Sequence, residues 1–123
     1  MSVRATWSGL RALHDRVDAD LERALRRRFR LGMSEFDALS ALTGAVGLNQ
    51  SSASRLITRS EQSGLTERVV CGTDRRGVSS CLTAAGREVH ATASSFYEET
   101  LAAIFAEVAE DPELGPLLAR VRG

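Results

Sequence analysis

Residues 47–87 decide the fold, and they read GLNQSSASRLITRSEQSGLTERVVCGTDRRGVSSCLTAAGR. The first part predicts a helix over 51–63, because Gly64 followed by Leu65 is typical of a Schellman helix end. The next part predicts a β-hairpin over 66–82, since valines in both arms flank a turn rich in glycine and arginine. A polar helix followed by a hairpin with a basic tip is the order expected of a helix that enters a DNA groove beside a wing.

Long amphipathic helices are predicted on both sides of this region. Apolar residues recur every three or four positions over 3–29, and again from a cap at Thr83 through Val108. Both stripes are long for so small a chain, so we expect them to pack against a second copy. The sequence therefore predicts a mainly α, α+β fold with long N- and C-terminal dimerisation helices.

Two shorter helices complete the predicted elements. Ser34 is expected to cap one helix that ends near the glycines of 44–47. Asp111 and Pro112 are expected to start the other, as an N-cap and a first-turn proline.

Composition excludes several classes of protein. The chain has 123 residues, which favours one domain over 1–123, and its 43% apolar and 26% charged residues are typical of a globular protein. No apolar run is long enough to span a bilayer, and the opening residues lack the apolar segment of a signal peptide. Two cysteines form no disulfide framework, so we expect a cytoplasmic protein. All 16 basic residues are arginine, a bias typical of GC-rich bacterial genomes.

The charge is zero overall but unevenly distributed. Residues 1–87 hold 14 arginines against 9 acidic residues, whereas residues 88–123 hold 2 arginines against 7 acidic residues. A neutral total is therefore compatible with an anionic partner for the basic part of the chain.

Five short segments resemble MarR-type winged helix-turn-helix regulators in order and spacing. They are Ser34-Glu35-Phe36-Asp37, Ser51-Ser52-Ala53-Ser54-Arg55-Leu56, Gly64-Leu65-Thr66-Glu67-Arg68, Asp74-Arg75-Arg76-Gly77 and Leu82-Thr83-Ala84-Ala85-Gly86-Arg87. The resemblance implies a bacterial homodimer that binds pseudo-palindromic promoter DNA as a repressor and is associated with the nucleoid when bound. It also implies that a small aromatic (phenolic) effector or an oxidant could release the protein from DNA. It also implies a helical dimerisation part at 3–30 and 84–122 and a winged helix-turn-helix part at 34–82.

The resemblance assigns DNA contacts to the helix and the wing. Arg55 would reach the major groove, and Arg76 would enter the minor groove, braced by Asp74, with Arg75 on or beside a phosphate. The full set expected at the DNA is Ser51, Ser52, Ser54, Arg55, Thr58, Arg59, Asp74, Arg75 and Arg76.

The chain departs from the family pattern in two places. A family helix is missing near 43–48, and three explanations stay open: the helix from Ser34 serves in its place, the helix is lost, or a segment is absent from the given sequence. Ser60 stands where the family usually has a core leucine, and its hydroxyl can bond back to a carbonyl of its own helix, at some cost in packing.

Other functions find less support. No phosphate-binding loop, nucleophile elbow or His/Cys/carboxylate cluster indicates an enzyme, and no cofactor is implied. His14 and His90 lack ligand-spaced partners, so no metal is expected, and Cys71 and Cys81 are interpreted as structural thiols rather than a redox switch.

Two further alternatives concern partners. Four aromatic residues are interpreted as dimer core in preference to the lining of an effector pocket: Trp7, Phe96, Tyr97 and Phe105. The alternative to a DNA-binding regulator is a dimeric interaction module that has this fold and has lost DNA binding.

Overall fold

The structure is a computed structural model that describes residues 2–43, 48–49, 54–70 and 78–123. Its elements in chain order are α1 (Val3–Phe29), α2 (Met33–Ala41), β1 (Leu48–Asn49), α3 (Ser54–Gln62), β2 (Thr66–Val70), β3 (Val78–Leu82), α4 (Ala84–Ala109) and α5 (Leu114–Arg122). The two long helices and the hairpin confirm the mainly α, winged-helix prediction.

Helices α1, α4 and α5 form the helical part of the molecule. Its core consists of Leu13 and Leu21 from α1, Ile104 and Val108 from α4, and Leu118 from α5. The two predicted apolar stripes thus pack against each other within one chain. Because each stripe is covered in part by the other, their burial alone does not require a second copy of the chain.

The winged part has a small core of its own, made of leucines. Leu31, Leu39 and Leu42 come from α2 and the segment before and after it, whereas Leu65 and Leu82 bracket the hairpin. A third cluster joins the two parts through Leu25, Phe36 and Ala93, on α1, α2 and α4.

The sheet has a strand that the sequence did not predict. Among the described residues the strand order is β1-β3-β2, and both pairings are antiparallel. The predicted hairpin is confirmed, with Thr66 opposite Leu82 and Val70 opposite Val78. The unpredicted strand is β1, in which Leu48 lies opposite Ser80.

The predicted cap of the second helix is wrong. Helix α2 begins at Met33 with Gly32 as its N-cap, so Ser34 lies within the first turn. The Met33 N–H instead donates to Glu22 Oε1 of α1 at 2.8 Å. A carboxylate of the preceding helix therefore accepts a hydrogen bond from the first turn of α2, in place of the predicted serine cap. The helix ends at Ala41, earlier than predicted, and residues 44–47 lie outside the described part of the chain.

The predicted Schellman end of α3 is confirmed. Gly64 has φ of 78°, the left-handed region that favours glycine. The Leu65 N–H donates to the Ser60 carbonyl at 2.9 Å, and the Gly64 N–H donates to the Glu61 carbonyl at 3.0 Å. The helix begins at Ser54 in the described residues, and its predicted start at residue 51 lies outside them.

Asp111 caps the last helix almost as predicted. Its Oδ1 accepts from the N–H groups of Glu113 at 2.8 Å and Leu114 at 2.9 Å, although regular helix begins only at Leu114. These two hydrogen bonds hold the pKa of the Asp111 carboxyl below its ordinary value.

Candidate nucleic-acid interface

Helix α3 and the base of the hairpin form the described part of the predicted interface. Ser54 and Arg55 lie in the first turn of α3, and their side chains fall outside the described part. Thr58 and Arg59 follow, and both are exposed. The remaining predicted contact residues also lie outside the described residues: Ser51, Ser52, Asp74, Arg75 and Arg76.

Arg59 has a partner that the sequence did not reveal. Its Nη1 donates to Glu35 Oε1 at 3.0 Å, and the Glu35 side chain is only 5% exposed. Glu35 lies in the first turn of α2, so this ion pair connects α3 to α2. The two residues are 24 positions apart, and no periodicity of either helix points to a buried acid at Glu35.

The base of the wing is held by the Leu-Thr-x-x-Gly segment. Thr83 Oγ1 accepts from the Gly86 N–H at 3.0 Å, which confirms the predicted cap of α4. The same hydroxyl donates to the Gly64 carbonyl at 2.7 Å, and the Thr83 N–H donates to the Leu65 carbonyl at 3.0 Å. One threonine thus joins the end of α3, the end of β3 and the start of α4.

The surface beneath α3 is unusually polar. Ser60 is 1% exposed, and its hydroxyl has no hydrogen-bond partner, so the bond back to its own helix that the sequence allows is not formed. The hydroxyls of Thr66 and Ser80 are also buried without a partner. Buried polar groups without partners weaken packing, because they lose hydration and gain nothing in return.

A polar link joins α2 to α4 below the interface. His90 Nε2 lies 2.9 Å from Ser40 Oγ of α2 and 3.3 Å from Ser94 Oγ of α4. The ring of His90 stacks on Phe36, with centroids 5.4 Å apart. Burial lowers the pKa of His90 from its ordinary value, since desolvation disfavours the charged ring.

The arginine run at the end of α1 is partly engaged with its own chain. Arg26 Nε donates to Glu22 Oε2 at 3.2 Å, and the guanidinium of Arg28 lies 4.9 Å from the centre of the Phe96 ring. Arg27 and Arg30 are exposed. Phe96 therefore packs within the chain, beneath a cation.

An open cavity of about 330 Å³ lies between α1, α4 and α5. Tyr97 and Phe105 line it, as two of the four aromatic residues considered above, whereas Trp7 is 60% exposed. The full lining is Leu10, Leu13, His14, Val17, Asp18, Leu21, Met33, Tyr97, Leu101, Phe105, Leu118 and Val121. Burial and the nearby carboxylates of Asp37, Glu98 and Asp18 raise the pKa of the Tyr97 hydroxyl above its ordinary value.

The described residues give few signs of other chemistry. Cys81 is a half-buried free thiol, and Cys71 lies outside the described residues. Within the described ranges no group of three His, Cys, Asp or Glu side chains is placed to hold a metal ion. None of the helices described above is long and apolar enough to cross a membrane.

No protein-family model matches the chain, and no curated protein matches it. Solved structures do match. AbsC, a MarR family transcriptional regulator from Streptomyces coelicolor, is 23% identical with a TM-score of 0.73, over 95% of this chain and 88% of that one. A MarR family regulator from Silicibacter pomeroyi is 25% identical with a TM-score of 0.70, over 100% and 96% of the two chains.

A third match was solved with nucleic acid. The transcriptional repressor CouR, bound to a 23-mer DNA duplex, is 23% identical with a TM-score of 0.68, over 92% of this chain and 87% of that one. The chain thus has the winged-helix fold of these regulators along nearly its whole length. The resemblance drawn from the sequence is confirmed at the level of the fold.

Proposed function

We propose that this protein is a sequence-specific, DNA-binding transcription regulator that acts as a homodimeric repressor on pseudo-palindromic promoter DNA. The observation that carries the proposal is the match in fold to a repressor solved on a DNA duplex, over 92% of this chain. The order of α3 and the β2–β3 hairpin supports it, because a helix with a following hairpin fits a major groove and the groove beside it. Apart from Arg59, which pairs with Glu35, the proposed contact residues are those predicted from the sequence, centred on Arg55 and the wing arginines.

The test is direct binding to DNA. Fluorescence anisotropy would compare a duplex from upstream of the protein's own coding region with a scrambled duplex, over a series of salt concentrations. We expect tighter binding to the upstream duplex and a steep loss of affinity with salt, since phosphate contacts release counterions. The variant Arg120→Ala, in the last turn of α5, is the control and should bind as the wild type does.

A dimeric interaction module without DNA binding is the second candidate. The observation that favours it is the short connection between α2 and α3, in which the described residues hold only the two-residue strand β1. If no duplex raises the anisotropy signal, even at low salt, this candidate is supported and the proposal of a DNA-binding regulator is contradicted.

Dimerisation is proposed from exposed apolar side chains at the termini. Val3, Trp7 and Val121 are 88%, 60% and 65% exposed, on α1 and α5. These helices lie side by side, since a side chain at Gly9 would overlap with Leu117.

A dimer that covers this apolar end should bury more than about 2,000 Å². Light scattering at micromolar concentration should give twice the chain mass for the wild type and for Ser8→Glu, but a monomer for Trp7→Glu.

Release by a small aromatic effector is proposed from the cavity. Its volume of about 330 Å³ is near the lower limit for small-molecule pockets, and the Tyr97 hydroxyl provides a hydrogen-bonding group at an apolar wall. Titration of the DNA complex with simple phenols should release the duplex from the wild type. Leu101→Trp should abolish release by filling the cavity, whereas Trp at the exposed Ala103 should not.

A further inference from the structure

We propose that Arg59 is a positioning residue that fixes α3 through the buried carboxylate of Glu35, and does not itself contact DNA. The inference rests on the proposed function, because α3 matters to recognition only if the protein reads DNA. It assigns a role to Glu35, which no sequence pattern marks, and a different role to Arg59 from the one predicted.

The buried carboxylate of Glu35 needs a cationic partner. Its side chain is 5% exposed, and the described part of the chain gives its carboxylate one hydrogen bond, from Arg59 Nη1 at 3.0 Å. A buried carboxylate without a cation is strongly unfavourable, because neither water nor a counterion reaches it. The Arg59 side chain is 60% exposed, and this hydrogen bond holds its Nη1 on α2 while the fold is intact.

A second ion pair holds the opposite flank of α3. Glu61 follows Arg59 by two positions, so its side chain projects from nearly the other side of the helix. It accepts from Arg68 Nε of β2 at 2.8 Å. Helix α3 is thus tied to α2 on one flank and to the sheet on the other.

Among the described side chains, the packing between these two flanks is partly polar. Arg68 and Ser80 are paired across β2 and β3, so their side chains share the sheet face from which Arg68 reaches α3. On that face lie the unpartnered hydroxyls of Ser80 and Thr66, and Ser60 of α3 is unpartnered as well. Three small polar groups bury little apolar surface. The two ion pairs therefore supply directional contacts that hold the described part of α3 to α2 and to β2.

A phosphate would compete poorly for Arg59. Moving the guanidinium from Glu35 to DNA would leave the buried Glu35 carboxylate without its cation. Arg55 lies one helical turn earlier on α3 and remains the residue proposed for the groove.

The experiment is a double-mutant cycle with Glu35→Gln, Arg59→Gln and the double variant, assayed on the upstream and scrambled duplexes across salt. We expect each single variant to lose about tenfold or more in affinity for the upstream duplex, and the double variant to lose no more than either single. The salt slope should stay unchanged, because no phosphate contact is removed. Arg59→Lys should recover part of the lost affinity, and Glu99→Gln, an exposed acid on α4, should bind like the wild type.

The opposite pattern would overturn the inference. If Arg59→Gln lowers the affinity for both duplexes and makes the salt slope shallower by about one, while Glu35→Gln leaves binding intact, Arg59 contacts a phosphate. Amide hydrogen exchange of α3 separates this outcome from failure of the proposed function, since it needs no DNA. Exchange should quicken in both single variants, and unchanged protection in Glu35→Gln would refute the positioning role even if the wild type binds no duplex. If Glu35→Gln does not fold, Glu35→Asp tests the same pair more mildly.

Discussion

Gly86 of α4 lies directly against the backbone carbonyl of Leu65, so closely that a Cβ at this position would overlap with the Leu65 oxygen. The approach is backbone against backbone, and no side-chain rotation can relieve it. It exists because Thr83 pulls the start of α4 onto the end of α3, through its hydrogen bonds to Gly64, Leu65 and Gly86.

Gly86→Ala should therefore destabilise the fold, although alanine favours helices. Overpacking of a tight contact usually costs about 1–3 kcal/mol, more than the propensity gain of about 1 kcal/mol. Urea unfolding would measure the change, and Arg87→Ala at the next, exposed position should stay within about 0.5 kcal/mol of the wild type. A Gly86→Ala variant as stable as the wild type would mean that the two backbones can separate at no cost.

Ser60→Ala should raise the free energy of unfolding by about 1 kcal/mol. The change removes a buried hydroxyl that has no partner, and it improves the helix propensity of α3. Thermal and urea unfolding would measure the gain, with the exposed Ser63→Ala as the control. A loss of stability in Ser60→Ala would show that the hydroxyl makes a stabilising hydrogen bond in solution.

Stability should fall as the pH drops below 6.5, the ordinary pKa of histidine. Burial lowers the pKa of His90, so between its folded value and 6.5 the unfolded chain binds more protons than the folded chain. The stability contributed by the neutral ring is thus present above pH 6.5 and is lost as the pH falls through the folded pKa.

His90→Gln should flatten this part of the pH profile, measured as urea midpoints from pH 7.5 to 5. His14→Gln, at an exposed position on α1, should leave the fall in place. An unaltered profile in His90→Gln would assign the pH dependence to other groups.

Substitutions of the arginines in α3 and in the wing should change DNA binding in different ways. Arg55→Ala should cost about 1–3 kcal/mol on the upstream duplex and relax the preference at one base position per half-site, because base-edge contacts carry discrimination. Changing Arg75 and Arg76 together to Ala should weaken binding to upstream and scrambled duplexes alike, with a shallower salt slope. Asp74→Ala should give a milder form of the wing effect. Anisotropy over a salt series measures all three, and equal losses on both duplexes for Arg55→Ala would contradict the assigned docking.

The sequence predicts what local patterns determine. The Schellman end at Gly64 and the cap at Thr83 each depend on a few adjacent residues, and both are confirmed. The cap of α2 was missed because Glu22 reaches it from α1, and β1 was missed because its two residues pair with a strand far along the chain. The same limit applies at the candidate site, where burial of Glu35 depends on how α2 and α3 are packed together.

The hydrogen bond between Thr83 and Leu65 at the base of the hairpin allows the wing to vary in length. Leu65 and Thr83 close the segment between them, since the Thr83 N–H donates to the Leu65 carbonyl at 3.0 Å. Doubling the length of such a closed segment costs only about 0.6 kcal/mol in chain entropy. Insertions and deletions between β2 and β3 can therefore accumulate over generations without loosening the helices that hold the two ends. A longer or shorter wing would change the width of DNA covered by the proposed interface.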